Sequence, residues 1–264
     1  MHLRSLLIAG LLLSACQAEF ANRNIDSHTL TVFAAASLTE VFDEIGQGFE
    51  AGHPGMKVAF NFAGSQQLAQ QLVQGAPADV FASANQAQMD TAISAGHIDA
   101  ETVKVFAHNR LVVIYPKDNP AGIARLQDLA KPGLKLILAA KEVPVGGYAR
   151  QFLEKASQSP DFGSDFVGKT LASVISYEEN VRAVYSKVAL GEVDAGIVYT
   201  TDIPKDDLRV GSLEIPDELN VVAIYPIAPL LESPSPELTA SFIEFVLSPT
   251  GQDILARHGF FPAQ

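Results

Sequence analysis

The sequence predicts an α/β fold in two lobes, each a mainly parallel sheet flanked by helices. Three observations lead there. Residues 29–95 alternate three strand-like runs with three helix-like runs, an order that places parallel strands between covering helices. A buried-strand run at 110–116, RLVVIYP, is echoed at 220–226, NVVAIYP. A second β–α series lies between the two echoes. The echoes read as two crossover strands, the place where a hinge belongs. Lobe 1 is then 29–109 with 227–264, and lobe 2 is 110–226, with crossings near 110–116 and 220–226. The alternative is one doubly wound sheet in which the echo is accidental.

The chain begins with an export signal. His2 and Arg4 precede the apolar run 6–13, LLIAGLLL, far shorter than the ~20 residues of a membrane span and of signal-peptide form. Leu13-Ser14-Ala15-Cys16 is similar to a bacterial lipobox, so residues 1–15 read as a signal peptide and Cys16 as the lipid attachment site. Cys16 is the only cysteine, so no intrachain disulfide is available. Residues 16–28 read as a lipidated tether. The protein is expected to be exported, anchored to the membrane by that lipid.

Residues 30–34 form a strand. Apolar Leu38, Val41, Phe42, Ile45 and Phe49 give residues 37–49 helical spacing, and Gly52 with Pro54 ends that helix. Val58, Phe60 and Phe62 alternate with smaller or polar neighbours, as in a strand. Residues 65–73 are helical and stop at Gly75. Residues 78–82 are a strand and 86–95 a helix. In the second series, 134–139 is a strand, 148–156 and 178–190 are helices, and 195–200 is a strand. Amphipathic helices at 238–247 and 251–258 close the chain.

Composition narrows the function. The 264 residues carry a formal net charge of −12, which argues against nucleic acid, whose binding needs clustered Lys and Arg. The six histidines have no ligand-like spacing, so no direct protein–metal ligands and no cofactor are expected. Ser37 lacks the Gly-x-Ser-x-Gly elbow of a hydrolase, and Gly146-Gly147 is too little for a dinucleotide loop.

Ser37 and Ser65 each follow a strand and open a helix. At such a point a serine caps the helix, with its hydroxyl and the first free amides facing outward. Two such starts on consecutive β–α units suggest an anion site. Arg182 reads as a solvated helix surface and Tyr199 as an aromatic at a strand end.

The residues Val32-Phe33-Ala34-Ala35-Ala36-Ser37-Leu38, Gly64-Ser65 with Leu68, and Gly75-Ala76-Pro77-Ala78-Asp79-Val80-Phe81 with Ser83-Ala84 carry a family likeness. So do Gly196-Ile197-Val198-Tyr199 and the closing Gly251-Gln252, Ile254-Leu255 and Gly259-Phe260. Together they resemble the periplasmic molybdate-binding proteins of molybdate ABC transporters, over residues 29–261. The resemblance implies the two-lobed, hinge-closing fold of type II periplasmic binding proteins. It implies a monomeric receptor that captures molybdate, and tungstate also, and delivers it to a membrane permease without catalysis. The alternatives are a sulfate- or phosphate-binding receptor of the same fold, and a serine hydrolase using Ser37. Carried onto this sequence, the family's oxyanion donors are the hydroxyls and amides of Ser37 and Ser65, the backbone amides of Val145 and Val181, and the Tyr199 hydroxyl. The family often has Ala where this chain has Val145, and residues 157–169 look longer than in relatives.

Such a donor set suits a fully deprotonated tetrahedral dianion, which only accepts hydrogen bonds. Phosphate keeps a proton near neutral pH and is better served by a carboxylate acceptor. Glu179 is the carboxylate closest in sequence to these loops.

Overall fold

In a computed structural model, which describes residues 29–263, two sheets stand side by side and the chain crosses between them twice. The first sheet holds β1 (Thr29–Ala35), β2 (Lys57–Ala63), β3 (Val80–Ala82), β4 (Lys104–Asn109), β10 (Ala223–Pro229) and β11 (Phe261–Pro262), in the spatial order β11-β4-β10-β3-β1-β2. The second holds β5 (Leu111–Pro116), β6 (Leu136–Ala139), β7 (Val174–Glu178), β8 (Ala195–Tyr199) and β9 (Val210–Glu214), ordered β7-β6-β8-β5-β9. Helices α1 (Thr39–Gly52), α2 (Ser65–Val73), α3 (Gln86–Ser94), α7 (Pro236–Leu247) and α8 (Pro249–Arg257) belong with the first sheet. Helices α4 (Pro144–Gln158), α5 (Phe166–Ala172) and α6 (Val181–Ala189) belong with the second. Cys16 and the signal sequence lie outside the described residues. Among those described, no helix is long and apolar enough to cross a membrane.

The helices form where apolar spacing demands it. Val41, Phe42, Ile45 and Phe49 of α1 are all buried and pack with Phe106 and Phe242, the Phe42–Phe106 ring centroids lying 5.6 Å apart. Burial of side chains of this size contributes roughly 1.5–3 kcal/mol each, which fixes α1 and the turn before it against the sheet.

The two-sheet α/β architecture is the one expected, but the sheets are mixed rather than mainly parallel. β1 pairs in parallel with β2 and β3, and β6 with β7 and β8. The strands next to the crossings, β4, β10 and β5, pair antiparallel with their neighbours. A strand that arrives from the other lobe has no covering crossover helix of its own to turn it parallel.

The second echo also differs from expectation. Ala223–Pro229 is a strand of the first sheet, so the second crossing is residues 215–222, and the strand passes to lobe 1 before 227. Two buried asparagines lace the crossings. Asn220 Oδ1 accepts the amides of Leu111 (3.0 Å) and Val221 (2.8 Å), while its Nδ2 donates to Leu111 O (2.9 Å) and Ile215 O (3.2 Å). Asn109 Oδ1 accepts the Arg110 amide (2.9 Å) and the Thr200 hydroxyl (3.0 Å), and its Nδ2 donates to Thr201 Oγ1 (2.8 Å). Strands β4, β7 and β9 and helix α5 escaped the sequence pattern. β7 alternates only partly buried and exposed residues and lies at a sheet edge, so its periodicity is weak.

Candidate functional site

Four helix starts converge between the sheets. The first is a single 3₁₀ turn, Ala36–Leu38, ahead of α1. The others are the N-termini of α2, α4 and α6. Each brings backbone N–H groups that no helical carbonyl satisfies, together with the positive end of its dipole.

Neither serine is the cap that its position suggested. Gly64 is the N-cap of α2, and Ser65 is the first helical residue. Ser37 is the middle residue of the 3₁₀ turn, and no side chain caps that turn or α1. The two hydroxyls are engaged elsewhere. Ser65 Oγ accepts the buried Ala84 amide at 3.0 Å, and Ser37 Oγ lies 3.0 Å from Tyr225 Oη. Ser65→Ala therefore removes more than a ligand contact. It strands the Ala84 N–H inside the protein, at a cost of about 1–3 kcal/mol in stability, readable as a lowered midpoint in urea unfolding. A loss of similar size in anion affinity is expected alongside it.

On lobe 2, Asn180 caps α6, its Oδ1 accepting the Ala183 amide at 2.9 Å. That satisfies the third amide of the helix and leaves Val181 N–H without a helical partner. At α4, Pro144 occupies the first turn and has no N–H. The intrahelical ladder resumes with Gly147 N–H to Val143 O at 3.0 Å, so Val145 N–H also lacks a helical partner. Val145 itself is 1% exposed and part of the core.

All five residues named from the sequence, Ser37, Ser65, Val145, Val181 and Tyr199, line one small cavity between the lobes. The other lining residues are Ala35, Ala36, Gly64, Ala84, Val143, Pro144 and Asn180. No carboxylate and no cation lines it. Tyr199 ends β8, and its hydroxyl is buried without a partner among the described residues. Burial, with the neighbouring Tyr225 and Tyr148 hydroxyls adding to it, pushes the Tyr199 pKa well above 10, so the group stays a donor.

Glu179 does not face the cavity. Its carboxylate accepts from Gln67 Nε2 at 3.0 Å and its carbonyl from Gln66 Nε2 at 2.7 Å, both across the lobe boundary. Gln88 Nε2 donates across the same boundary to Glu142 O at 3.0 Å. Arg182 is not a solvated surface residue. Its side chain is 26% exposed, its Nε donates to Ala36 O of lobe 1 at 3.2 Å, and it pairs with Glu40. The second residue of α6 thus clasps the turn that carries Ser37.

Two further residues belong to the site's support and were invisible in the sequence. Tyr225 holds Ser37 from β10. Asp202, fully buried just after β8, accepts the Tyr199 amide at 2.9 Å and lies 4.0 Å from Arg182 Nε. The Tyr199 and Tyr225 rings meet at 5.8 Å. Neither residue had a signal beyond an ordinary tyrosine or aspartate in a buried-strand context.

Two mixed α/β lobes, crossed twice by the chain, thus bring a small cavity rich in hydrogen-bond donors to their boundary. The chain belongs to the bacterial extracellular solute-binding protein family, whose model matches residues 30–261. It is 37% identical over 261 residues to the molybdate-binding protein ModA of Mycobacterium tuberculosis, covering 97% of this chain and 94% of that one. It is 31% identical over 261 residues to ModA of Escherichia coli, covering 96% of each. Among solved structures, the substrate-binding domain of a putative molybdenum ABC transporter from Clostridium difficile superposes with a TM-score of 0.66 at 27% identity, over 89% of this chain and 99% of that chain.

Proposed function

We propose that this protein captures molybdate, and tungstate with it, outside the cytoplasm and delivers the ion to the permease of an ABC transporter. The observation that carries the reading is the character of the cavity. It presents serine hydroxyls, unshared helix amides and the unpartnered Tyr199 hydroxyl, and no carboxylate lines it. A buried hydroxyl without a partner costs roughly 1–3 kcal/mol, and an oxyanion oxygen relieves that cost. Hydrogen bonds to a charged group contribute about 1.5–3 kcal/mol each, so a handful of such donors exceeds the ~8 kcal/mol of micromolar binding after closure and desolvation are subtracted. That these relatives are molybdate-binding proteins supports the choice of molybdate.

The role is binding and presentation, with no reaction step, no cofactor and a monomeric receptor. Cys16 is proposed as the lipid anchor. Ser37 as a hydrolase nucleophile is disfavoured because its Oγ bonds a tyrosine hydroxyl, and among the described residues no histidine is hydrogen-bonded to it. A sulfate receptor shares the donor chemistry, since sulfate is also fully deprotonated. Isothermal titration with molybdate, tungstate, sulfate and phosphate tests the assignment. Molybdate and tungstate are expected to bind at micromolar affinity or tighter, with sulfate and phosphate at least about tenfold weaker. Sulfate binding as tight as molybdate would sink the assignment to molybdate.

A further inference from the structure

We propose that Tyr225 and Asn109, neither of which lines the cavity, set the direction of the Ser37 proton and so commit the site to fully deprotonated oxyanions. The inference rests on the oxyanion reading above.

The argument follows the hydrogen bonds inward from the crossing. The Asn109 amide has one orientation that satisfies its neighbours. Arg110 N–H, which can only donate, lies 2.9 Å from Oδ1, and the Thr200 hydroxyl donates to the same oxygen at 3.0 Å. The Nδ2 group, which can only donate, therefore faces Thr201 Oγ1 at 2.8 Å and Tyr225 Oη at 3.5 Å. With an N–H directed at its oxygen, Tyr225 gives its own proton to Ser37 Oγ at 3.0 Å. Acidity favours the same direction, because a phenol is a stronger donor than an aliphatic hydroxyl. Burial, reinforced by the nearby Asp202 charge, raises the Tyr225 pKa far above 10 and keeps that proton in place.

Ser37 Oγ is then an acceptor toward Tyr225, and its own proton is left for the cavity. Ser65 reaches the same state by a separate route, its oxygen accepting the Ala84 amide. Both hydroxyls enter the site with O–H outward. An oxyanion without protons meets only donors. An oxyanion that carries a proton brings a donor of its own against them, and in an enclosed cavity neither proton finds an acceptor. Tyr225 and Asn109 are thus positioning residues, acting through Ser37 on which protonation state of ligand is accepted.

Tyr225→Phe keeps the ring and removes the donor. Wild type and variant are titrated with molybdate near neutral pH, and phosphate affinity is measured by displacement of bound molybdate, with a thermal melt followed by circular dichroism to verify the fold. The expected result is a loss of about tenfold or more for molybdate and a smaller loss, or a gain, for phosphate, so that their affinity ratio falls by about tenfold. Unchanged molybdate affinity overturns the proposal. An equal loss for both anions also overturns it, since that marks a packing role. Asn109→Asp gives an independent arm. It replaces the donor facing Tyr225 with an acceptor, so Tyr225 turns toward the carboxylate and Ser37 toward Tyr225. The same fall in the ratio is expected although the phenol is retained, and a wild-type ratio counts against the proposal. A wild-type protein that binds neither anion overturns the oxyanion reading itself and this inference with it.

Discussion

Gly64→Ala should leave the protein folded and cost it at least about a hundredfold in oxyanion affinity. Gly64 has φ −59° and ψ 136°, a conformation open to any residue, so the backbone of lobe 1 accepts the change. The added Cβ, however, would lie 2.5 Å from the carbonyl oxygen of Glu179 and 2.5 Å from Gln66 Oε1. The glutamine end can move aside. The Glu179 carbonyl is main chain of the opposite lobe, one residue ahead of the Asn180 cap, and it cannot approach without carrying α6 away. The methyl group is therefore a wedge that acts only when the lobes meet. It withholds the amides of Val145 and Val181 and the Tyr199 hydroxyl from a ligand seated on Ser37 and Ser65. Two or more lost bonds to an anion, at about 1.5–3 kcal/mol each, amount to at least about 3 kcal/mol. Calorimetry measures the affinity, and solution scattering measures whether the variant still compacts when ligand is added. Wild-type affinity in Gly64→Ala would show that the cavity does not need contact between these two loops.

Asp202→Asn should stabilise the protein at neutral pH and flatten its stability profile between about pH 4 and pH 6. Burial raises the Asp202 pKa from 3.8 to about 6, opposed by Arg182 and by the Tyr199 amide. One oxygen of the carboxylate accepts no hydrogen bond among the described residues. Between the two pKa values the folded protein holds a proton that the unfolded chain has released. Stability therefore falls as pH rises through this window, and the penalty is complete above about pH 6. A shift of this size corresponds to about 3 kcal/mol at most. Asparagine keeps an acceptor for the Tyr199 amide and carries no charge, so the slope should vanish. Urea unfolding of both proteins across this pH range is the measurement. A variant less stable than wild type at neutral pH would show that the Arg182–Asp202 attraction outweighs the burial of the carboxylate.

A buried charge beneath an anion site also bears on the clasp formed by Arg182. A guanidinium in the first turn of α6 stands at the positive end of the helix dipole, where a cation is unfavourable. Asp202 on its own lobe and Glu40 on the other offset that cost. Closure adds the Ala36 carbonyl as a partner, so the residue beside the Val181 donor also ties down the Ser37 turn. The apolar spacing of α6 allowed a surface reading of Arg182, because spacing records which face is apolar and says nothing about what approaches the other face.

Local chemistry made much of this protein legible without coordinates. The β-α-β-α-β-α order of residues 29–95 follows from apolar periodicity and from stops at Gly52, Pro54 and Gly75, which act over a few residues. Ser37 and Ser65 stand at helix starts, where unshared amides are a property of the helix itself, whereas Val145, Val181 and Tyr199 were named through the family resemblance. What needed the tertiary structure was everything set by pairs distant in the chain. The sense of β10 and β5, the Ser37–Tyr225 contact and the Arg182–Asp202 pair depend on neighbours 20 to 188 positions away. Ser37 and Ser65 show the division plainly. Their position told of a hydroxyl at a helix start, and only the folded chain decided that each oxygen is already occupied and each proton faces the cavity. A hydrogen bond has a direction, and that direction is set by the far partner.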